Sequence, residues 1–241
     1  VMVVRVLMKR TDACRLELKK LRFHSIQLAK MMTIGLPAGL QSCLFSISNV
    51  MIQSSINSFG DVVMSGNAAA GNIEGFIYVT LNAFHQTAVN FIGQNAGARQ
   101  YKRVAKILGI CMGSVAVTGL ILGSLVYKTG PFLLSLYITD SPEATQWGMI
   151  RLSIVCLFYF ICGMMDVSTG ALRGLGESFI PMVLSVVGVC GIRIGWIMTI
   201  FQMPQFHTPQ SLYISYPISW GITLLLQMLT FRMVYRRHTK E

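Results

Sequence analysis

Long uncharged apolar runs alternate with short clusters of charge along the chain. No charged residue occurs from Met31 to Gly60, Gly75 to Ala98, Ile107 to Tyr127 or Ile194 to Phe231. Each run reaches the ~20 apolar residues that a helix needs to cross a bilayer. The pattern predicts six spans, over roughly 31–58, 67–98, 107–127, 147–172, 178–203 and 212–231. The first two are longer than a bilayer needs, so they must tilt, kink or project. Pro37 and Pro217 are the candidate kinks.

Polar positions inside the spans are not scattered. With about 100° per residue, Ser42, Ser46, Asn49, Gln53 and Asn57 of the first span fall within an arc of about 80°. Gly35 and Gly39 share that face. In the second span Asn67, Glu74, Tyr78, Asn82 and His85 form a similar stripe, and in the fourth Tyr159, Cys162, Asp166 and Arg173 lie with Gly163 and Gly170. Such groups facing acyl chains cost a few kcal/mol each. The stripes therefore face other helices, which they join by close approach and hydrogen bonds, or a polar cavity. Three stripes of this length favour the cavity.

Composition narrows the class. Hydrophobic residues make up 53% of the chain and charged residues 12%, against about 25% charged in ordinary soluble domains. Mean hydropathy is +0.58. A soluble domain, a disordered chain and a coiled coil are excluded. So is an outer-membrane barrel, whose strands alternate over about 10 residues. The fold class is all-α integral membrane. The net charge of +11 belongs to loops on one side of a membrane, where Lys and Arg collect and favour anionic lipid; no nucleic-acid partner is expected.

The charge distribution also sets orientation. Sixteen of the 20 basic residues lie in the segment 9–30, the 99–106 loop, the turn at Arg173 and the tail from Arg232 to Lys240. Six spans place all four on one side, and the positive-inside rule makes that side cytoplasmic, with both ends inside. Tyr127, Phe132, Tyr137, Trp147, Phe201, Phe206, Tyr213 and Tyr216 lie near the outer ends, at the depth of an aromatic belt. The six cysteines, Cys14, Cys43, Cys111, Cys156, Cys162 and Cys190, show no CxxC spacing. They are expected to be small buried apolar residues rather than metal ligands or disulfides. Residues 1–8 read as the end of a preceding helix, 9–30 as a basic loop, 31–231 as a six-helix unit and 232–241 as a basic tail. The start at Val1 suggests a fragment or one half of a larger protein.

Glu74, Asp166 and Arg193 are the ions kept inside spans, where function is the default reading. Glu74 and Arg193 lie at similar depth and are expected to pair; unpaired, Glu74 becomes a candidate proton carrier. Asp166, with only Arg173 two turns below it, is the better candidate to bind a proton or sodium ion. His85 is either a hydrogen-bonded packing residue or a proton relay. Arg151 lies near the outer boundary and is expected to snorkel. No HExxH, GxSxG or paired-Asp motif is present, so the chain is not expected to be an enzyme and needs no cofactor beyond a coupling ion.

Three segments carry a resemblance. GLPAGLQ opens the first span at Gly35–Gln41, GQNAGAR ends the second at Gly93–Arg99, and DVSTGALRGLG ends the fourth at Asp166–Gly176, with Ile180-Pro-Met182 opening the fifth. In this order they resemble the C-terminal half of the multidrug and toxic compound extrusion (MATE) family, over roughly residues 30–232. The resemblance implies twelve helices in two six-helix lobes, with a cavity between them that opens to alternate faces. It implies export of drugs and organic cations from the cell across a bacterial inner membrane in exchange for sodium or protons. The partners implied are the N-terminal six-helix half, small organic cations and the bilayer. Asp166 matches a tenth-helix carboxylate implicated in cation coupling, with sodium possible there, and Glu74 matches a frequent eighth-helix acid. Ser46, Asn49, Gln53, Tyr78, Asn82, His85 and Tyr159 would line the cavity. Several sodium-coupled members carry a seventh-helix glutamate; the corresponding first span here has none. The rival readings are a lipid-linked saccharide flippase of the same superfamily, which should place several basic residues in the cavity, and a non-transporting membrane scaffold.

Overall fold

The computed structural model describes residues 2–11, 15–16, 22 and 24–240. Cys14, Lys19 and Lys20 of the expected basic loop lie outside the described residues. Among the described residues the secondary structure is helical throughout. The helices are α1 (Met2–Lys9), α2 (Ser25–Asn57), α3 (Asp61–Gly97), α4 (Tyr101–Ser135), α5 (Pro142–Val155), α6 (Tyr159–Gly174), α7 (Phe179–Ser185), α8 (Ile192–Met198) and α9 (Pro209–Lys240). A π-helical segment, Val186–Gly191, joins α7 to α8 into one span running on to Gln202.

Local signals account for the boundaries. Ser141 caps α5 by accepting from the Ala144 amide, with Pro142 in the first helical turn. Gly60 and Gly176 both have φ of 92°, which turns the chain sharply between α2 and α3 and between α6 and α7. The helices α2 and α9 run unbroken through Pro37 and Pro217. Irregularity lies elsewhere. The predicted fourth span is two helices, α5 and α6, bent by 48° at Cys156–Phe158. The fifth contains the π-helical turn, whose Gly188 lets Thr223 of α9 approach within contact distance.

Among the described residues four spans are both long and apolar enough to cross a membrane: α2, α4, α7 to Gln202, and α9; the bent α5–α6 pair makes a fifth. The remaining long helix, α3, has 37 residues, about 55 Å at 1.5 Å per residue. It is less apolar because it is the hub: α4, α5 and α6 pack around it, and its buried positions include Asn67, Glu74 and His85. Glycines permit these crossings. A Cβ at Gly66 would collide with the Ala144 carbonyl of α5, and one at Gly170 would lie 2.7 Å from the His85 carbonyl. By contrast, α2 packs mainly on α7, the π segment and α8, and leaves most of its surface exposed.

Candidate functional site

The stripes of α2 and α3 meet α6, α8 and α9 around two adjoining cavities, each of about 420 Å³. Asn49, Gly71, Glu74, Tyr159 and Tyr216 line both. The first also takes Ser46, Tyr78, Asp166, Arg193 and Trp220; the second takes Gln53, Asn67 and Arg151. The expected cavity residues Ser46, Asn49, Gln53, Tyr78 and Tyr159 thus come together, and so do Asp166 and Glu74. Helical spacing brings them there, since residues three and four apart share one face.

Two expected residues lie off this wall. His85 is buried between helices, its Nδ1 2.7 Å from the Asp166 carbonyl oxygen. In this arrangement the ring donates Nδ1–H and ties α3 to α6. Asn82 points its amide at the Tyr78 hydroxyl, at 3.5 Å. Both lie toward the C-terminal end of the α3 stripe, where α6 packs against His85.

The ion pairing differs from expectation. Glu74 is held by Arg151, not by Arg193. The Arg151 Nε and Nη2 donate to the two carboxylate oxygens, each at 2.7 Å, and Nη1 donates to Asn67 Oδ1. Such a bidentate, charge-assisted pair is the strongest arrangement available to these groups. Glu74 is 6% and Arg151 8% exposed, so Arg151 does not snorkel. Arg193 instead donates to the Ser219 hydroxyl at 3.2 Å and lies over the Tyr216 ring, 4.0 Å from its centroid. Tyr216 therefore serves two cations, for the Arg151 guanidinium lies 5.7 Å from the same ring. Tyr213, expected in an outer aromatic belt with Tyr216, is fully buried, and Phe201 is buried against His207 and Phe59.

With Glu74 tied to Arg151, Asp166 is the other acid on the cavity wall. Its carboxylate lines the first cavity and has no hydrogen-bond donor or salt-bridge partner among the described residues. Arg173, the cation two turns below it, donates to Gln41 of α2 at 2.8 Å. Apart from Arg193, the rest of that wall is aromatic and weakly polar: Tyr159 and Tyr216 pack edge-on against Trp220 at 5.3 and 5.8 Å. Ser42 and Ser46 donate to carbonyls one turn back in α2, which leaves their oxygens able to accept. No three His, Cys, Asp or Glu side chains converge among the described residues.

The family model described as MatE matches residues 37–198. The chain belongs to the MatE family. This is a family of membrane transporters, not of enzymes. The MatE chain is 28% identical over 165 residues to the probable multidrug resistance protein YpnP of Bacillus subtilis, covering 68% of this chain and 37% of that protein. It is 19% identical over 211 residues to the probable multidrug resistance protein YoeA of the same organism, covering 87% and 45%. Among solved structures it superposes on the Vibrio cholerae MATE transporter VcmN in its bent form with a TM-score of 0.79 at 19% identity, covering 90% of this chain and 48% of that one. A MOP superfamily transporter from Pyrococcus furiosus gives a TM-score of 0.89 at 15% identity, covering 100% and 54%. The MatE chain thus spans about half the length of the relatives it matches and has the fold of one half of a MATE transporter.

Arg151 and Tyr216 are the site residues that sequence reasoning missed. A usable signal existed in α9, where Tyr213, Tyr216 and Trp220 sit at helical spacing on one face.

Proposed function

We propose that this MatE chain forms the C-terminal lobe of a cation-coupled antiporter that exports small organic cations in exchange for protons or sodium. One observation carries the reading: Asp166 offers the cavity a carboxylate with no donor or cation committed to it, while the other acid, Glu74, is tied to Arg151. A free carboxylate among Tyr78, Tyr159 and Trp220 suits a flat cation, which the rings attract through their faces. The same carboxylate suits a proton or sodium ion. Antiport needs that competition, because each occupant must bias the protein toward a different facing state. Ser46, Asn49 and Gln53 supply polar atoms beside it.

Alternation requires a second lobe, and we place the N-terminal six-helix half against the lightly packed side of α2. Basic residues at Arg99–Lys106, Arg173 and Arg232–Arg237 favour a cytoplasmic location for both ends of the unit, in a bacterial inner membrane. A saccharide–lipid flippase is disfavoured because Arg151 is neutralised by Glu74, which leaves Arg193 alone to meet a phosphate. The test is ion-driven efflux by the complete transporter in proteoliposomes, with Asp166→Asn as the variant. Lost coupling with normal folding supports the reading, and intact coupling removes Asp166 from it.

A further inference from the structure

On the far side of α6 from Asp166 lies a second concave feature, separate from the two cavities. On α6, Ser168 is about 200° around the helix from Asp166, so the two residues face opposite sides. The Ser168 hydroxyl lies 4.0 Å from the Met112 sulfur of α4 and 3.4 Å from the Met228 sulfur of α9. These two methionines form the floor of a groove of about 590 Å³ between α4 and α9, which barely touch each other. Leu108 and Gly109 of α4 and Leu225 and Leu229 of α9 continue its walls. The walls are apolar and open outward, with Leu225 66% and Leu229 59% exposed.

One end of the groove is basic. Arg232 lines it, and at the same end the Tyr235 hydroxyl donates to the Tyr101 carbonyl at 3.1 Å. Tyr101 stacks on His238, with centroids 5.6 Å apart. The same two rings line an adjoining cavity with Arg99, Lys102 and Arg103. Lys102, Arg103 and Arg232 are exposed and have no acidic partner among the described residues. No Asp or Glu occurs from Gly75 to Ile138, or from Glu177 to Lys240 apart from Glu177 itself.

We infer that the α4–α9 groove binds one anionic phospholipid, with an acyl chain along the Met112–Met228 floor and its phosphate against Arg232 and Lys102. An apolar channel ending in unpaired cations beside interfacial tyrosines is complementary to that molecule along its whole length. A zwitterionic lipid would set an ammonium against the same cations. Basic pockets between helices on the cytoplasmic side recognise lipid headgroups in this way.

The test uses the complete transporter in nanodiscs of mixed phosphatidylglycerol and phosphatidylcholine, extracted and counted for retained lipid by native mass spectrometry. Phosphatidylglycerol should be retained selectively, at about one per chain. Arg232→Gln and Lys102→Gln should each weaken that preference by about five-fold. Gly109→Leu probes the apolar part separately: a Cβ there meets nothing within 4 Å, so the leucine fills the groove rather than the protein, and both lipids should be lost with folding unchanged. Inorganic phosphate should not displace the bound lipid. Equal retention of the two lipids, displacement by phosphate, or retention unaffected by Gly109→Leu in a normally folded protein would overturn the inference.

Discussion

Removing Arg151 should strand a buried carboxylate. Glu74 and Arg151 are almost wholly enclosed and share two hydrogen bonds of 2.7 Å, while Asn67 accepts a third. Arg151→Met keeps an unbranched apolar stem in place and takes away all three donors. Breaking a buried pair from one side costs about 3–5 kcal/mol, because the remaining charge keeps its desolvation penalty and loses its partner. Neutral interhelical hydrogen bonds in a membrane protein average only about 0.6 kcal/mol, so a loss in the upper range is specific to the ion pair. The assay is reversible unfolding of the complete transporter in mixed micelles, with the lipid held constant. The paired variant Glu74→Leu with Arg151→Met removes both charges and should recover most of the loss, since replacing a buried pair by apolar groups is often neutral. A single variant within about 1 kcal/mol of the parent, or a double variant as unstable as the single one, would refute the bridge as the tie between α3 and α5. Glu74→Gln adds a functional arm: reduced folding yield with retained transport fits a structural role, whereas normal folding without transport would assign Glu74 to coupling.

Packing gives a contrast within one helix. A Cβ at Gly119 of α4 would come within 2.8 Å of the Phe160 backbone, while Gly113 has open space; Gly119→Ala should destabilise by about 1–3 kcal/mol, and Gly113→Ala should be neutral or stabilise by up to about 1 kcal/mol, both read by thermal unfolding. His85→Asn should preserve ion-driven transport, because the histidine ties α3 to α6 and lies off the cavity wall; a normally folded variant that loses proton-driven but not sodium-driven efflux would restore the relay reading. Arg173→Gln should loosen α2 from α6 by removing the donor to Gln41, seen as faster amide exchange around Gln41 in the middle of α2, and unchanged exchange would show that the contact holds nothing.

The architecture was legible because its signals are one-dimensional. Apolar runs measure the bilayer, charge clusters mark its faces, and the 80° stripes of α2 and α3 point at a common interior. The residues of those stripes do line the cavities, from Ser46 to Gln53 on α2 and at Glu74 and Tyr78 on α3. Pairing was not legible. Depth along a helix can be counted, and Glu74 and Arg193 share it, but the rotation of one helix about another cannot. The chain breaks at Cys156–Phe158, where α5 and α6 meet at 48°, and Arg151 of α5 pairs with Glu74 instead of lying at the boundary. No Pro or Gly marks that break, so nothing local announced it. The same limit explains Tyr213 and Tyr216: belt residues by depth, they are turned inward by α9 and become the rings beneath two arginines.

Cation-coupled antiport by this protein requires Asp166 to be the carboxylate for which ion and substrate compete. The direct measurement is ion-gradient-driven efflux from proteoliposomes by Asp166→Asn and Asp166→Glu, alongside equilibrium binding of an organic cation and a thermal stability control. The expected result is a stable Asp166→Asn protein whose cation binding no longer responds to protons or sodium and whose driven efflux is abolished, with partial rescue by Asp166→Glu. Driven efflux at the parental rate in a folded Asp166→Asn transporter would contradict it.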